Sequence, residues 1–299
     1  VLGQLFALLT AACWAQNSIV YAFAGKRVGS ATVTHIRLWI ALPVMLLVHL
    51  AFTGILLPMD LTRASYVYLS ISGFAGFCLA DLLIFKAFVD IGHRETLVIM
   101  TTSPIFSTVL SWFFLQEVLT ALQLTGIILT VAGVGWVLFS ENRTAESGAH
   151  GDTRRKAVLG VLYALGGTIA QAVGITLAKF GMGADVHPVS ANLLRVLAGL
   201  AGLVVFAALR GQLVKDFRRM KDTTALLQIG SGAVIGPVLG IILTLYALTM
   251  APVGVVTTIM QTTPIMLLPI DKFAFKKRIP VGAVVGTLVA VGGAMLLFL

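Results

Sequence analysis

Four residues near the N-terminus could hold a small molecule. Thr10, Trp14, Asn17 and Tyr21 recur at spacings of four, three and four, which puts them on one face of a helix. Trp14 offers a ring face to cations and aromatic groups, and an indole donor; Asn17 offers both a donor and an acceptor. The competing reading is that these residues glue neighbouring helices. Tyr163, Gly167, Gln171 and Gly174 form a similar face later in the chain, with Gln171 in the place of Trp14. Two prolines add a second kind of site. A proline inside a helix removes one hydrogen bond and pushes off the carbonyl four residues back. For Pro104 and Pro264 those carbonyls belong to Met100 and Met260. Thr101, Thr102 and Ser103, with Gln261, Thr262 and Thr263, add hydroxyls and an amide at the same depth. In a bilayer a freed carbonyl must be met by water, a side chain or a ligand. Two such kinks suit a midplane binding site or a gate; the alternative is that Thr and Ser heal each kink within its own helix.

Charges add little to this set. Asp81 is the one deep acid. It could meet a substrate ammonium, carry a proton, or pair with Lys86, and the last is the expectation. Arg37 and Arg195 lie early in their apolar runs and are expected to snorkel to the interface as anchors. Glu95, beside His93 and Arg94, is a weaker candidate. No histidine or cysteine falls at a metal-ligand spacing, so no metal site is expected. No phosphate-binding Gly-Lys-Ser/Thr loop occurs, so ATP is not an expected partner, and no cofactor is implied.

The elements that position these residues follow from composition. Of the 299 residues, 58% are hydrophobic and only 11% charged, and mean hydropathy is +0.99. So few polar residues could not cover a soluble fold of this length. An all-α polytopic membrane protein is therefore expected. A span needs about 20 apolar residues, and ten apolar segments can be drawn: 2–23, 31–52, 64–85, 94–115, 120–139, 158–179, 189–209, 224–246, 252–270 and 281–299. The first reads as a span and not a cleaved leader. Ser140 to Lys156 is polar and Gly-containing, and reads as a linker. The chain thus divides into a first five-helix repeat (1–139), a linker loop (140–157) and a second five-helix repeat (158–299).

The halves resemble each other. Ile99–Phe106 reads IMTTSPIF, and 160 residues on Ile259–Met266 reads IMQTTPIM. The same shift carries Gly76 to Gly236, Gly126 to Gly286 and Gly133 to Gly293; a shift of 158 carries Arg37 to Arg195. Small residues recur at every fourth position in Ser72, Gly76, Ala80 and in Gly232, Gly236, Gly240, a spacing that lets helix backbones approach closely. A repeat with an odd number of spans must enter the membrane upside down relative to its copy. Inverted repeats place a substrate site near the midplane between the halves.

Two five-helix repeats, Thr/Ser-Pro in segments 4 and 9, and Arg early in segments 2 and 7 resemble the drug/metabolite transporter superfamily, EamA-like branch. Within it the chain looks most like amino-acid exporters of the YddG kind. Glu117 and Gly126 fit the pattern after the fourth span, while Lys277 departs from it in the second half. The resemblance implies ten transmembrane helices around a cavity walled mainly by spans 1–4 and 6–9.

Charge gives an orientation. Loops after segments 1, 3, 5, 7 and 9 hold 17 of the 21 Lys and Arg residues, and the opposite loops hold only Arg63 and Lys179. By the positive-inside rule both termini lie outside the cytoplasm. The net charge of +9 is thereby explained without nucleic acid. Cys13 and Cys78 lie in apolar runs and read as packing residues. The expected function is a secondary transporter that exports small metabolites, amino acids above all, across a bacterial inner membrane by alternating access. Its partners would be a small-molecule substrate and the lipid bilayer, with a monomer allowed. A proton-coupled drug or organic-cation exporter is the second reading. An intramembrane enzyme such as a prenyltransferase is remote, because the 12 acids are scattered and form no DDxxD.

Overall fold

Long apolar runs with internal hydrogen bonding leave the backbone one solution in lipid, the helix. The computed structural model describes residues 1–91, 93–142, 153–273 and 280–298, and they are helical with no strand among them. In chain order the helices are α1 (Leu2–Val28), α2 (Ser30–Thr53), α3 (Arg63–Gly73), α4 (Ala80–Asp90), α5 (His93–Met100), α6 (Ser103–Leu115), α7 (Ala121–Asn142), α8 (Thr153–Met182), α9 (Pro188–Leu209), α10 (Leu213–Arg219), α11 (Thr223–Ala233), α12 (Ile241–Met250), α13 (Val253–Met260), α14 (Thr263–Phe273) and α15 (Val281–Leu296). Wider π-helical turns, Phe74–Leu79 and Val234–Gly240, fuse α3 to α4 and α11 to α12. Eight helical stretches are long and apolar enough to span a membrane. Two shorter apolar helices, Ala121–Val137 and Val281–Leu296, stand where the fifth and tenth segments were drawn.

The repeat reappears in the backbone. Thr62 and Asp222, 160 residues apart, each cap a helix by accepting from the backbone N–H three residues on, Ser65 at 3.1 Å and Ala225 at 3.0 Å. The π turns begin 160 residues apart, and so do α6 and α14 after the helix breaks.

Packing is reciprocal between the halves. α1 lies against α11, α12, α13 and the second π turn, while α8 lies against α3 to α6 and the first π turn. α2 and α9 pack together, as do α6 and α13. α7 and α15 form a pair in which a Cβ on Gly133 would strike the backbone of Gly286 and Ala290. Large apolar side chains such as Trp112, Phe113, Trp136 and Leu288 point outward, as a lipid solvent allows.

Two differences from the sequence reading stand out. Helix α10 lies between segments 7 and 8, where the sequence predicts a loop, and is held down by the buried Asp216. The helices also run into both ends of the expected linker, since charged residues are tolerated in helix ends that project beyond the hydrocarbon; its middle, 143–152, lies outside the described residues, as does Lys277.

Candidate functional site

The two prolines break their spans. α5 ends at Met100 and α6 begins at Ser103; α13 ends at Met260 and α14 begins at Thr263. Pro104 and Pro264 are each the second residue of the new helix, where no N–H is required. The hydroxyls close much of each break locally. Thr101 donates to the Val98 carbonyl and Thr102 to that of Ile99, each at 2.6 Å. Thr262 donates to Ile259 and Thr263 to Met260, each at 2.7 Å. Thr263 also lies 3.3 Å from the Ala11 carbonyl of α1. Ser103 is buried at the start of α6.

One bond is not local. The Gln261 amide Nε2 donates to the Met100 carbonyl at 3.1 Å. That carbonyl is the one Pro104 leaves without its helical donor, so the break in one half is satisfied from the break in the other. A second cross-contact lies deeper, where the hydroxyls of Ser107 on α6 and Thr257 on α13 meet at 2.7 Å. The repeat-related polar kinks are therefore neighbours.

The α1 face is laid against the second π turn. Trp14, Asn17 and Tyr21 cover Gly240, Gly236 and Gly232, and a Cβ on Gly236 would collide with the Asn17 amide. Thr10 donates to Phe6 at 2.9 Å and reaches Gly240 at 3.3 Å. Asn17 is only 1% exposed, and its amide atoms find no hydrogen-bond partner of ordinary geometry among the described residues; Trp14 is half-buried. On α8, Gly174 touches Gly76 of the first π turn and Gly167 touches Ala80 and Ile84. Gln171 lies between them, with its buried Oε1 also lacking a partner. The Tyr163 ring, eight residues before Gln171 on α8, sits 5.8 Å from the exposed Lys86 ammonium.

The charges depart from expectation. Asp81 is paired with Arg37, not Lys86. Five residues separate Asp81 from Lys86, about 140° around a helix, so the two point apart; Lys86 instead reaches Asp90, four residues on, at 2.7 Å. Arg37 and Arg195 do not snorkel. They are 5% and 3% exposed, because each side chain turns toward a neighbouring helix. The Arg37 guanidinium lies 5.8 Å from the Tyr21 ring. That of Arg195 lies over Gly76 and 5.2 Å from the Phe77 ring.

Two polar clusters join the halves away from the breaks. Near the ends of α6 and α8, Glu117 binds Lys179 at 2.6 Å and accepts from the Val253 N–H at 2.8 Å. Val253 begins α13, so the carboxylate also meets the positive end of that helix dipole. Lys179 donates to the Ala251 carbonyl at 2.7 Å. In the second, Asp216 on α10 accepts from Thr32 at 2.8 Å and contacts His35 Nδ1 at 3.1 Å. Arg27 pairs there with Asp222 at 2.9 Å. The N–H of Ala225, then Arg27, hold the Asp222 carboxyl below the usual carboxylate range. The sequence reading counted Lys179 only among the loop charges and assigned no role to Asp216. The one signal for Arg37 and Arg195 was that both halves carry an arginine at the same place.

A solved crystal structure superposes on 98% of this chain and 94% of its own, with a TM-score of 0.75 at 18% identity. At that identity the likeness shows the fold alone. No curated protein matches. The EamA-like transporter family matches residues 1–139 and 158–299, the same two halves that carry the paired helix breaks and paired π turns. With each half matching and the repeat visible in the backbone, the chain belongs to the EamA-like transporter family, a membrane transporter of the drug/metabolite type.

Proposed function

We propose that this protein is a secondary transporter that exports amino acids, apolar and aromatic ones included, across a bacterial inner membrane by alternating access between two inverted repeats. The observation that carries this reading is the Gln261–Met100 bond between the two helix breaks. Discontinuous helices meeting at the repeat interface are where such transporters bind substrate. Trp14, Asn17, Thr101, Thr102, Ser103, Gln261, Thr262 and Thr263 are the residues of α1 and the breaks that would meet it, with Pro104 and Pro264 as hinges. Gln171 would approach from α8, and Tyr163 and Asp81 from nearer one end. The Glu117–Lys179 and Asp216–His35 clusters, each joining the halves, fit gates at opposite ends. Loop charge supports termini outside the cytoplasm.

A proton-coupled organic-cation exporter would need an acid free to exchange a cation for a proton, and Asp81 is occupied by Arg37. That favours the amino-acid reading. The test is uptake of labelled leucine, phenylalanine and a quaternary ammonium by liposomes holding the pure protein, with and without a proton gradient. Transport of the quaternary ammonium alone would refute the reading.

A further inference from the structure

Among the described residues, Arg195 is a buried cation without a counter-charge. Its side chain is 3% exposed, and Nε and Nη1 have no hydrogen-bond partner among the described residues. No carboxylate there lies within ion-pair reach of it. Its surroundings are apolar or featureless: the Phe77 ring, and Gly76, where a Cβ would sit 3.4 Å from Nη2. A charge in that position is strongly unfavourable unless something pairs with it. Arg37 shows what the fold does when the pair is internal, since Asp81 answers it. The residue that matches Asp81 in the second half is Ile241, which cannot.

α8, which packs on the same π turn, carries an orphan of opposite polarity. Gln171 on α8 lies one turn before Gly174, which abuts Gly76, and its Oε1 is buried without a partner. Two guanidinium nitrogens on α9 and an amide oxygen on α8, buried and unpaired among the described residues, thus belong to the two helices that pack on one π turn. Together they match the two ends of a zwitterion, the guanidinium for a carboxylate and the oxygen for an ammonium.

We propose that Arg195 anchors the carboxylate of the transported molecule, in the seam between α9 and the π turn Phe74–Leu79, with Gln171 Oε1 taking the ammonium. This rests on the reading of the protein as an amino-acid transporter. The missing counter-ion of Arg195 is brought by the substrate when the seam opens, and the empty carrier is left with an unneutralised charge.

The test uses the full chain and four probes that share one isobutyl group: leucine, leucinamide, isovalerate and isoamylamine. Melting of the detergent-solubilised protein is followed with each probe, for wild type, R195K and R195Q. Leucine and isovalerate should raise the melting temperature of the wild type, leucinamide and isoamylamine should not, R195K should keep part of the shift, and R195Q should lose it. In liposomes R195Q should raise KM for leucine about tenfold or more while leaving leucinamide nearly unchanged, as expected where a polar group is read by its partner. No carboxylate-dependent shift in the wild type, or an equal shift in R195Q, overturns the assignment; if R195Q does not fold, the wild-type probe series decides alone. A purely structural role would lower the ligand-free melting temperature and move all four probes together. If carboxylates stabilise the protein through Arg195 but no amino acid is taken up, the amino-acid reading fails and the anion site stands. If R195Q transports leucine and leucinamide like the wild type, the site fails and the transport reading stands.

Discussion

Arg37 and Arg195 are each the eighth residue of a repeat-related helix, α2 and α9, and each is buried. One meets Asp81 and the other meets a glycine and a phenyl ring. The backbone around them is duplicated: caps at 62 and 222, π turns, helix breaks. The charge balance is not. Duplication has preserved the devices that shape the helices, while the side chains that decide where charge is neutralised have diverged. A half with an internal ion pair can be rigid in the resting protein; a half with an unmatched cation is held in waiting.

The sharpest way to break this comparison is to unbalance the first half as the second is unbalanced. Asp81→Asn should cost about 3 kcal/mol in detergent unfolding, the range for stranding one partner of a buried pair. Adding Arg37→Met should recover most of that loss, whereas Arg195→Met alone should leave the protein as stable as before or more so. Wild-type stability in Asp81→Asn would mean that the pair does not hold the first half together.

A second contrast lies in the glycines. A Cβ on Gly73 would drive into the backbone of Arg195, so Gly73→Ala should force α3 and α9 apart and lose about 1–3 kcal/mol. Gly135 has nothing within 4 Å of such a Cβ, and Gly135→Ala should be neutral or stabilising by up to about 1 kcal/mol. Equal melting temperatures for the two variants would contradict the close packing of span 3 on span 7.

The two breaks can be compared in the same way. Gln261→Leu strands the Met100 carbonyl and should cost about 1–2 kcal/mol with reduced uptake. Thr101→Val loses a bond within its own helix and should cost less. The reverse order would show that the cross-repeat bond is incidental.

The smallest effect belongs to Asp222. Its carboxyl titrates below the ordinary value because the folded state donates to the charged form. Such a group adds stability above the unfolded carboxylate pKa, about 4, and that share is lost as pH falls through the folded value. Asp222→Asn should therefore lower the melting temperature slightly at neutral pH and flatten its fall below about pH 4. An unchanged acid limb would remove Asp222 from the closure at that end.

Much of this architecture was open to inspection in the chain. The shortage of charge required membrane helices, and IMTTSPIF against IMQTTPIM located both breaks, because proline acts through its own covalent geometry. The partners of the charges were hidden. Asp81 and Lys86 are close in sequence but not on one helix face, and the acid's true partner lies 44 residues away on α2. Helices whose outer faces meet lipid carry Trp112 and Phe113 outward, so apolarity no longer marks the inside and no periodicity could show that Arg37 and Arg195 point inward. The π turns carry no signal in the sequence, because wide turns have no composition of their own.

The breaks at 101–102 and 261–262 leave α5 and α13 as rods of eight residues each, about 12 Å long at 1.5 Å per residue. Each rod has one end at a break, and the far end of α13 is tied to Glu117 through the Val253 N–H. A swing of about 20° would carry a rod's far tip roughly 4 Å, enough to uncover a water-sized passage, while its end at the break hardly moves. Because the two rods descend from the same duplication and touch through Gln261 and Met100, movement of one is felt at the pivot of the other.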